Sequence, residues 1–463
     1  MSSSAALTRG SIPRHLVTQT LPMVLGIACL MGVGLLDAFL IGRLGADPLA
    51  AVGFIFPVNM ALSSLGVGVM VGINSVVSRA LGAEDVDRAS ARGVQGIALA
   101  AIAGTFIALA LLLLRGPLFG ALQAEAHLQP LISDYIVPYA IGFPALLVAM
   151  GANGVLRGQG EAVKSSSILL VVALVNGVLD PLLIFGIGPF PELSIAGAGW
   201  ATALANLAAA ITGLALASTC QMPLHPKRAL GHGVAKGASE IGRVGLPAAF
   251  SNAINPIGIT VLTALLARHG QEAVAGFGAA GRLQSVAVVP LLALSSSIGP
   301  ITGQNWGAGE CERARRALGL ASGFCLVYGL AVAALLCLFR APIASVFTED
   351  AGIAERIARY LLIASWGFAG YGCLVVANGA LNAVDRAGLA FRISVARVLL
   401  VMLPLGWAAT VLAGPSAVFG AELAANLVGG ALAFGLARRA LSGTPAERSP
   451  SARPPPRARP RSA

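Results

Sequence analysis

The chain has 463 residues, 56% hydrophobic and 11% charged, with a formal net charge of +11. Soluble domains carry about 25% charged residues, so this composition excludes a water-soluble protein of this size. The basic excess would suit nucleic acid, but it is confined to alternate loops, which marks one face of a membrane and excludes a nucleic-acid partner.

Taken in chain order, runs of about 20 apolar residues predict twelve membrane helices. They fall near 16–41, 49–78, 93–114, 131–156, 165–188, 195–218, 243–267, 274–303, 317–339, 357–382, 392–413 and 417–437. The expected fold class is an all-α membrane protein of two six-helix bundles. Residues 1–218 form the first lobe, 219–242 a cytoplasmic linker, 243–437 the second lobe, and 438–463 a disordered basic cytoplasmic tail. The first run has no small-residue cleavage pattern and continues into a multispan array, so it reads as a retained helix.

Charge fixes the expected orientation. Arg9 and Arg14 precede the first span, and Arg79, Arg88, Arg92, Arg157 and Lys164 flank the next loops on that side. Arg243, Arg313, Arg386 and Arg397 continue the series in the second half, and the tail adds seven arginines. In all, 24 of the 31 basic residues lie on this side. The positive-inside rule therefore predicts a multi-pass protein of the cell (inner) membrane, both termini cytoplasmic. The six cysteines and five histidines show no metal-ligand spacing. No nucleophile elbow or phosphate loop is present, so no enzyme and no cofactor is expected.

One offset of 225 residues recurs through the chain. Leu21-Pro22 matches Leu246-Pro247, Gly142-Phe143 matches Gly367-Phe368, and Asn153-Gly154 matches Asn378-Gly379. Near the ends the offset slips to 220, where Ala205-Asn206-Leu207 matches Ala425-Asn426-Leu427. Each half holds an even number of spans, so the repeats are parallel and related by a pseudo-two-fold axis along the membrane normal. Two such bundles enclose a central cleft, the architecture of an alternating-access transporter. A channel, receptor or membrane enzyme with duplicated bundles is the rival.

Charges inside a bilayer cost roughly 2.5–3.5 kcal/mol on insertion scales, so the acids Asp37, Asp180 and Glu422 each need a reason. Asn176 lies one helical turn before Asp180 and shares its face. Thr202 comes to a similar depth on the sixth span. Asp37, Asn176, Asp180 and Thr202 thus form a candidate buried cation or proton site, its two carboxylates titrating as a unit. The bland alternatives are an interfacial Asp37 near Arg43 and a packing Asp180. Glu422 occupies the repeat position of Thr202 and is a candidate second protonatable site. Arg282 falls inside the eighth span, where it would line the cleft or pair with an acid. Pro22 is a candidate bend in the first span. The repeat positions of the two aspartates are Leu262 and Leu405, so the pair belongs to the first half alone.

These residues resemble the multidrug and toxic compound extrusion family, most closely its DNA-damage-inducible-F-like branch. The resemblance runs from about residue 13 to 437. It rests on Leu21-Pro22, on Asp37 followed by Ile41-Gly42-x-Leu44-Gly45, and on Ser78-Arg79-x-x-Gly82-Ala83. Asn153-Gly154-x-Leu156-Arg157-Gly158-x-Gly160, Asn176-x-x-x-Asp180-Pro181 and Gly197-x-Gly199-x-Ala201-Thr202 complete it. It implies a V-shaped pair of bundles exporting cationic or amphipathic drugs against protons or sodium. Matched by position, Asp37, Asn176, Asp180 and Thr202 look like the family's first-lobe cation network, with Asn153 and a tyrosine as neighbours. Tyr135 is the better match by spacing and Tyr139 its rival. Pro22 looks like the bending residue. The other large branch carries second-lobe acids on spans seven and ten; Asn252, Asn255 and Asn378 stand there instead. The expectation is a monomeric drug antiporter, coupled to protons rather than sodium because few extra oxygen ligands are evident. The runner-up is a lipid-linked glycan flippase of the same superfamily, which would need arginines in the cleft; only Arg282 offers itself.

Overall fold

The computed structural model describes residues 5–220, 222, 224, 231–412, 414 and 416–442. In a bilayer every backbone N–H and C=O must pair within its own segment, and the described residues are helical with no strand among them. The first half forms α1 (Ile12–Gly42), α2 (Ala46–Gly82), α3 (Val86–Ala121), α4 (Gln129–Gly158), α5 (Ala162–Phe185) and α6 (Ile195–Ser218). The second half forms α7 (Val234–Ala267), α8 (Gln271–Ala287), α9 (Val289–Gly307), α10 (Cys311–Leu338), α11 (Arg340–Phe347), α12 (Ala351–Ile363) and α13 (Gly367–Ala383). It ends with α14 (Ala387–Val395), a π-helical segment (Ala396–Met402), α15 (Leu403–Leu412) and α16 (Ala417–Ala440). Eleven helical stretches among the described residues are long and apolar enough to cross a membrane, and the pair α8 and α9, bent by 44°, brings the number to twelve when counted as one broken span.

The spans run several residues past the apolar windows at most ends, because a helix does not stop where lipid does. The eighth span differs in kind. Pro290 sits at the start of α9, lacks an N–H, and breaks the ladder after Val288. Pro22 does not break α1, which continues through it; the Pro22 carbonyl accepts a hydrogen bond from Ser166 Oγ. The linker expected over 219–242 is shorter at its second end: Lys236 already lies on α7. Residues 225–230 of the linker and 443–463 of the tail are outside the described residues.

Within the first lobe α4 packs on α2, α3 and α6, and α5 on α6; in the second, α13 packs on α9, α10 and α16. The lobes exchange helices at their seam. α1 packs on α5 of its own lobe and on α9 of the other, while α7 packs on α14 and on α2. Leu7, Ile12 and Leu16 accordingly belong to the second lobe's core. Outward faces carry large apolar side chains, such as Phe106 at 74% exposure and Leu400 at 74%, a surface suited to lipid tails.

The seam is built from glycines. A Cβ on Gly68 would stand 2.5 Å from the Gly245 carbonyl oxygen, and one on Gly72 2.6 Å from that of Ile241. Gly82 lies against Gln304 and Gly307 against Arg79 more closely still. All four contacts fall in the half of the molecule nearer the ends of the chain, the terminal face. Ion pairs seal that face: Arg92–Glu240 at 2.9 Å, Arg88–Glu240 at 3.2 Å and Arg79–Asp385 at 3.5 Å, with Arg243 also on Asp385. Residues 5–10 lie across it. The Leu7 N–H donates to Gln304 Oε1 at 3.1 Å, Asn305 Nδ2 donates to the Leu7 carbonyl at 3.1 Å, and Gln304 Nε2 donates to the Gly158 carbonyl of the first lobe at 2.9 Å.

Candidate functional site

Two sites emerge: a polar cluster inside the first lobe and a cleft between the lobes. The cluster is assembled by α1, α2, α4, α5 and α6. Asn176 and Asp180, one turn apart on α5, point the same way, and Asn176 Nδ2 lies 3.3 Å from Asp180 Oδ1 and 3.4 Å from Thr202 Oγ1 on α6. Asp180 is fully buried. Asp37 is within Coulombic reach of Asp180, and Tyr135 within reach of Asp37, Asn59 and Thr202. Tyr139 stacks on Tyr135 with ring centroids 6.1 Å apart. Asp37, Asn176, Asp180, Thr202 and Tyr135 are thus brought together, with Tyr139 behind them. Asp37 makes no ion pair with Arg43 among the described residues; Arg43 stands over the Phe185 ring instead.

Two acceptors in this cluster lack donors. Asp37 Oδ1 and Asp180 Oδ2 are both buried without a hydrogen-bond partner. An ionised oxygen left so costs several kcal/mol, so the pair is chemically incomplete without a proton or a small cation. No group of three metal-binding side chains occurs among the described residues.

Asn153 is not part of the cluster. It lies 18 residues beyond Tyr135 on α4, about 27 Å at 1.5 Å per residue. There it accepts from Ser165 Oγ at 2.7 Å, and Arg157 Nε donates to the same Ser165 at 3.2 Å. Five helical turns along one face give a shared stripe, not a shared depth, and this corrects the pairing expected from the resemblance. Asn59 was missed by sequence reasoning; its one signal is an amide in the apolar run of α2, and its Oδ1 is buried without a partner.

The cleft between the lobes has a volume of about 460 Å³. Its apolar walls come from residues such as Met60, Met70, Leu292 and Leu374. Its polar groups are five asparagines (Asn74, Asn252, Asn255, Asn378, Asn382), several serines, Tyr371, Arg157 and Arg397; no acid lines it. Neither Asp37 nor Asp180 reaches the cleft wall. Arg282 is exposed and does not line it either, and the sequence count had placed Arg157 and Arg397 with the loop charges. The correction has a physical cause. Both arginines are buried, at 7% and 4% exposure, and are held by amides and hydroxyls rather than by water. Arg397 donates to Asn426 Oδ1 at 2.9 Å and to Asn255 Oδ1, and its guanidinium lies over the Tyr371 ring at 5.7 Å. Asn74, Asn378 and Asn382 each leave a buried carbonyl oxygen without a donor.

A duplicated helical membrane fold, with an incomplete acid pair in one lobe and a polar cleft between two, defines a transporter and not an enzyme. The chain belongs to the MatE family, the multidrug and toxic compound extrusion transporters: the family's model matches it twice, over residues 22–182 and 247–408, once in each lobe. It is 35% identical over 445 residues to the FAD transporter of Shewanella oneidensis, covering 95% of this chain and 97% of that protein. It is 28% identical over 408 residues to the probable multidrug resistance protein NorM of Deinococcus radiodurans, covering 85% and 87%. The fold is similar to the Vibrio cholerae MATE transporter VcmN in the bent form, with a TM-score of 0.87 at 27% identity, covering 96% of this chain and 99% of that one.

Proposed function

We propose that the protein is a proton-coupled exporter whose cargo is an anionic, ring-bearing nucleotide of the flavin dinucleotide class. The carrying observation is the cleft: two buried arginines, five asparagines and no carboxylate. Guanidiniums lining the cleft are suited to phosphate oxygens. The unpartnered asparagine carbonyls are suited to ring N–H donors, and the apolar walls to flat heterocycles. The resemblance led to an expectation of cationic drugs; a cleft of this polarity disfavours them, and the acids that would attract them lie behind its wall. The relative named an FAD transporter supports the same reading.

Asp37 and Asp180 supply the coupling. A proton entering from the far face satisfies the orphaned oxygens, and the shift it produces in α1 passes to α9 of the second lobe. With the termini in the cytoplasm, the sealed terminal face makes this the outward-open state. The test is transport in proteoliposomes with FAD and ethidium, under separately imposed proton and sodium gradients. FAD is expected to move and to respond to the proton gradient. Ethidium transport without FAD transport would sink the cargo assignment, and a response to sodium alone would sink the coupling assignment.

A further inference from the structure

The second lobe holds a buried acid that the coupling pair does not use. Glu422 on α16 is 2% exposed, and Tyr360 on α12 is fully buried. Gln284 on α8 completes a triangle with them. Gln284 Nε2 lies 2.8 Å from Glu422 Oε1; the Tyr360 hydroxyl lies 3.1 Å from Glu422 Oε2 and 2.9 Å from Gln284 Oε1. Three hydrogen bonds in a ring need three protons, one in each contact. The amide and the phenol supply two, and an ionised carboxylate supplies none. Exchanging the amide's nitrogen and oxygen leaves the count unchanged. One proton on Glu422 closes the ring: the acid donates to Tyr360, Tyr360 to Gln284, and Gln284 back to the acid. We propose that Glu422 is a proton-carrying site of the second lobe, loaded when this ring is closed.

The repeat gives an independent argument. Gln284 and Tyr360 stand 225 places after Asn59 and Tyr135, and Glu422 stands 220 after Thr202. In the first lobe Tyr135 likewise stands within reach of Asn59 and Thr202, but there the Asn59 carbonyl oxygen is left without a partner and the ring is not closed. There the third corner is a hydroxyl that brings its own proton. A protonated Glu422 can donate as that hydroxyl does, so the equivalent corner of the second lobe is a donor only when it carries a proton.

The groups facing Glu422 from packed elements are Gln284, Tyr360, Tyr371 of α13 and Arg397 of the π-helical segment; of these only Arg397 is charged. Arg397 also lines the cleft. A neutral Glu422 leaves that guanidinium uncompensated, and an ionised one offsets it. Proton loading and anion binding therefore favour each other, and the effect is reciprocal. This consequence rests on the anionic-cargo reading; the proton site does not.

The experiment is infrared difference spectroscopy of the full chain in lipid nanodiscs, titrated from neutral to alkaline buffer. It uses a background carrying Asp37→Asn and Asp180→Asn, so that Glu422 is the remaining buried acid among the described residues. The expected result is a protonated-carboxyl C=O band that is lost on alkalinisation and absent from E422Q, a variant that keeps the side chain's shape. No such band, or one that persists in E422Q, overturns the proposal. Tyr360→Phe is expected to move the band to the frequency of a less hydrogen-bonded acid; an unmoved band overturns the ring. Inorganic pyrophosphate binding, corrected for the probe's own titration, is expected to weaken with alkalinisation only where Glu422 is present. The band without that dependence would overturn the cargo reading and leave the proton site standing.

Discussion

At the scale of single residues, the proposed function divides between groups that would carry protons and groups that would hold cargo. Arg397→Gln should weaken FAD binding about 10- to 100-fold, the worth of a charge-assisted hydrogen bond of roughly 1.5–3 kcal/mol. Arg397→Lys should recover only part of it, because an ammonium lacks the planar fork held by Asn255 and Asn426. Quenching of FAD fluorescence on titration measures both; equal affinity in all three chains would remove Arg397 from the site. Asp180→Asn should leave downhill FAD exchange intact and abolish its response to a proton gradient, as a flux assay in vesicles reads directly. The acids were legible in the sequence because a carboxylate in an apolar run stands out. The cleft arginines were not. Arg157 closes an apolar window, and hydropathy cannot distinguish a side chain that leaves the helix end for water from one that folds back onto Ser165.

At the scale of elements, the periodic features were readable and the exceptions were not. The number of spans and the halving of the chain follow from run length and repeat. The break at Pro290, the π-helical segment at 396–402 and the short helix α11 depend on backbone geometry that composition does not report. Tyr135 and Asn153 show the same limit: spacing set their common face, while their depth needed the packed structure. The glycine seam supplies a test at this scale. Gly307→Val places a branched side chain against the Arg79 backbone, and Gly82→Val one against Gln304. The nearest atoms to each new Cβ belong to the opposite lobe, so folding should survive while the terminal face is wedged apart. A cysteine introduced at Ser78, which is fully buried at the seam against Gly303, should then react faster with a bulky water-soluble thiol reagent than it does in the parent. An unchanged rate would mean that the seam yields without opening.

At the scale of the whole molecule, the proposed anionic cargo would change what drives export. A charge leaving a cell that is negative inside gains about 2.3 kcal/mol per 100 mV. FAD efflux from vesicles should therefore rise with an inside-negative potassium diffusion potential even when no proton gradient is present. A singly charged cation exchanged for one proton moves no net charge and would show no such response, so the dependence on potential discriminates between the two at that stoichiometry. The ion pairs on the terminal face set the balance between states. Asp385→Asn removes the partner of Arg79 and Arg243, and partly exposed pairs of this kind contribute up to about 1 kcal/mol each. A shift of several-fold towards the terminal-face-open state is expected, readable as spin-label distances across the seam.

The strap of residues 5–10 also constrains how the protein is made. Leu7 leaves the ribosome 297 positions ahead of its partner Gln304. At about 5–20 residues per second, the first helix waits roughly 15–60 seconds before the groove it closes exists. During synthesis the first lobe is therefore inserted without its fastening. The final docking of Leu7 registers that both lobes are complete, and a nascent chain arrested before Gln304 presents this strap unsheltered to quality-control factors at the membrane.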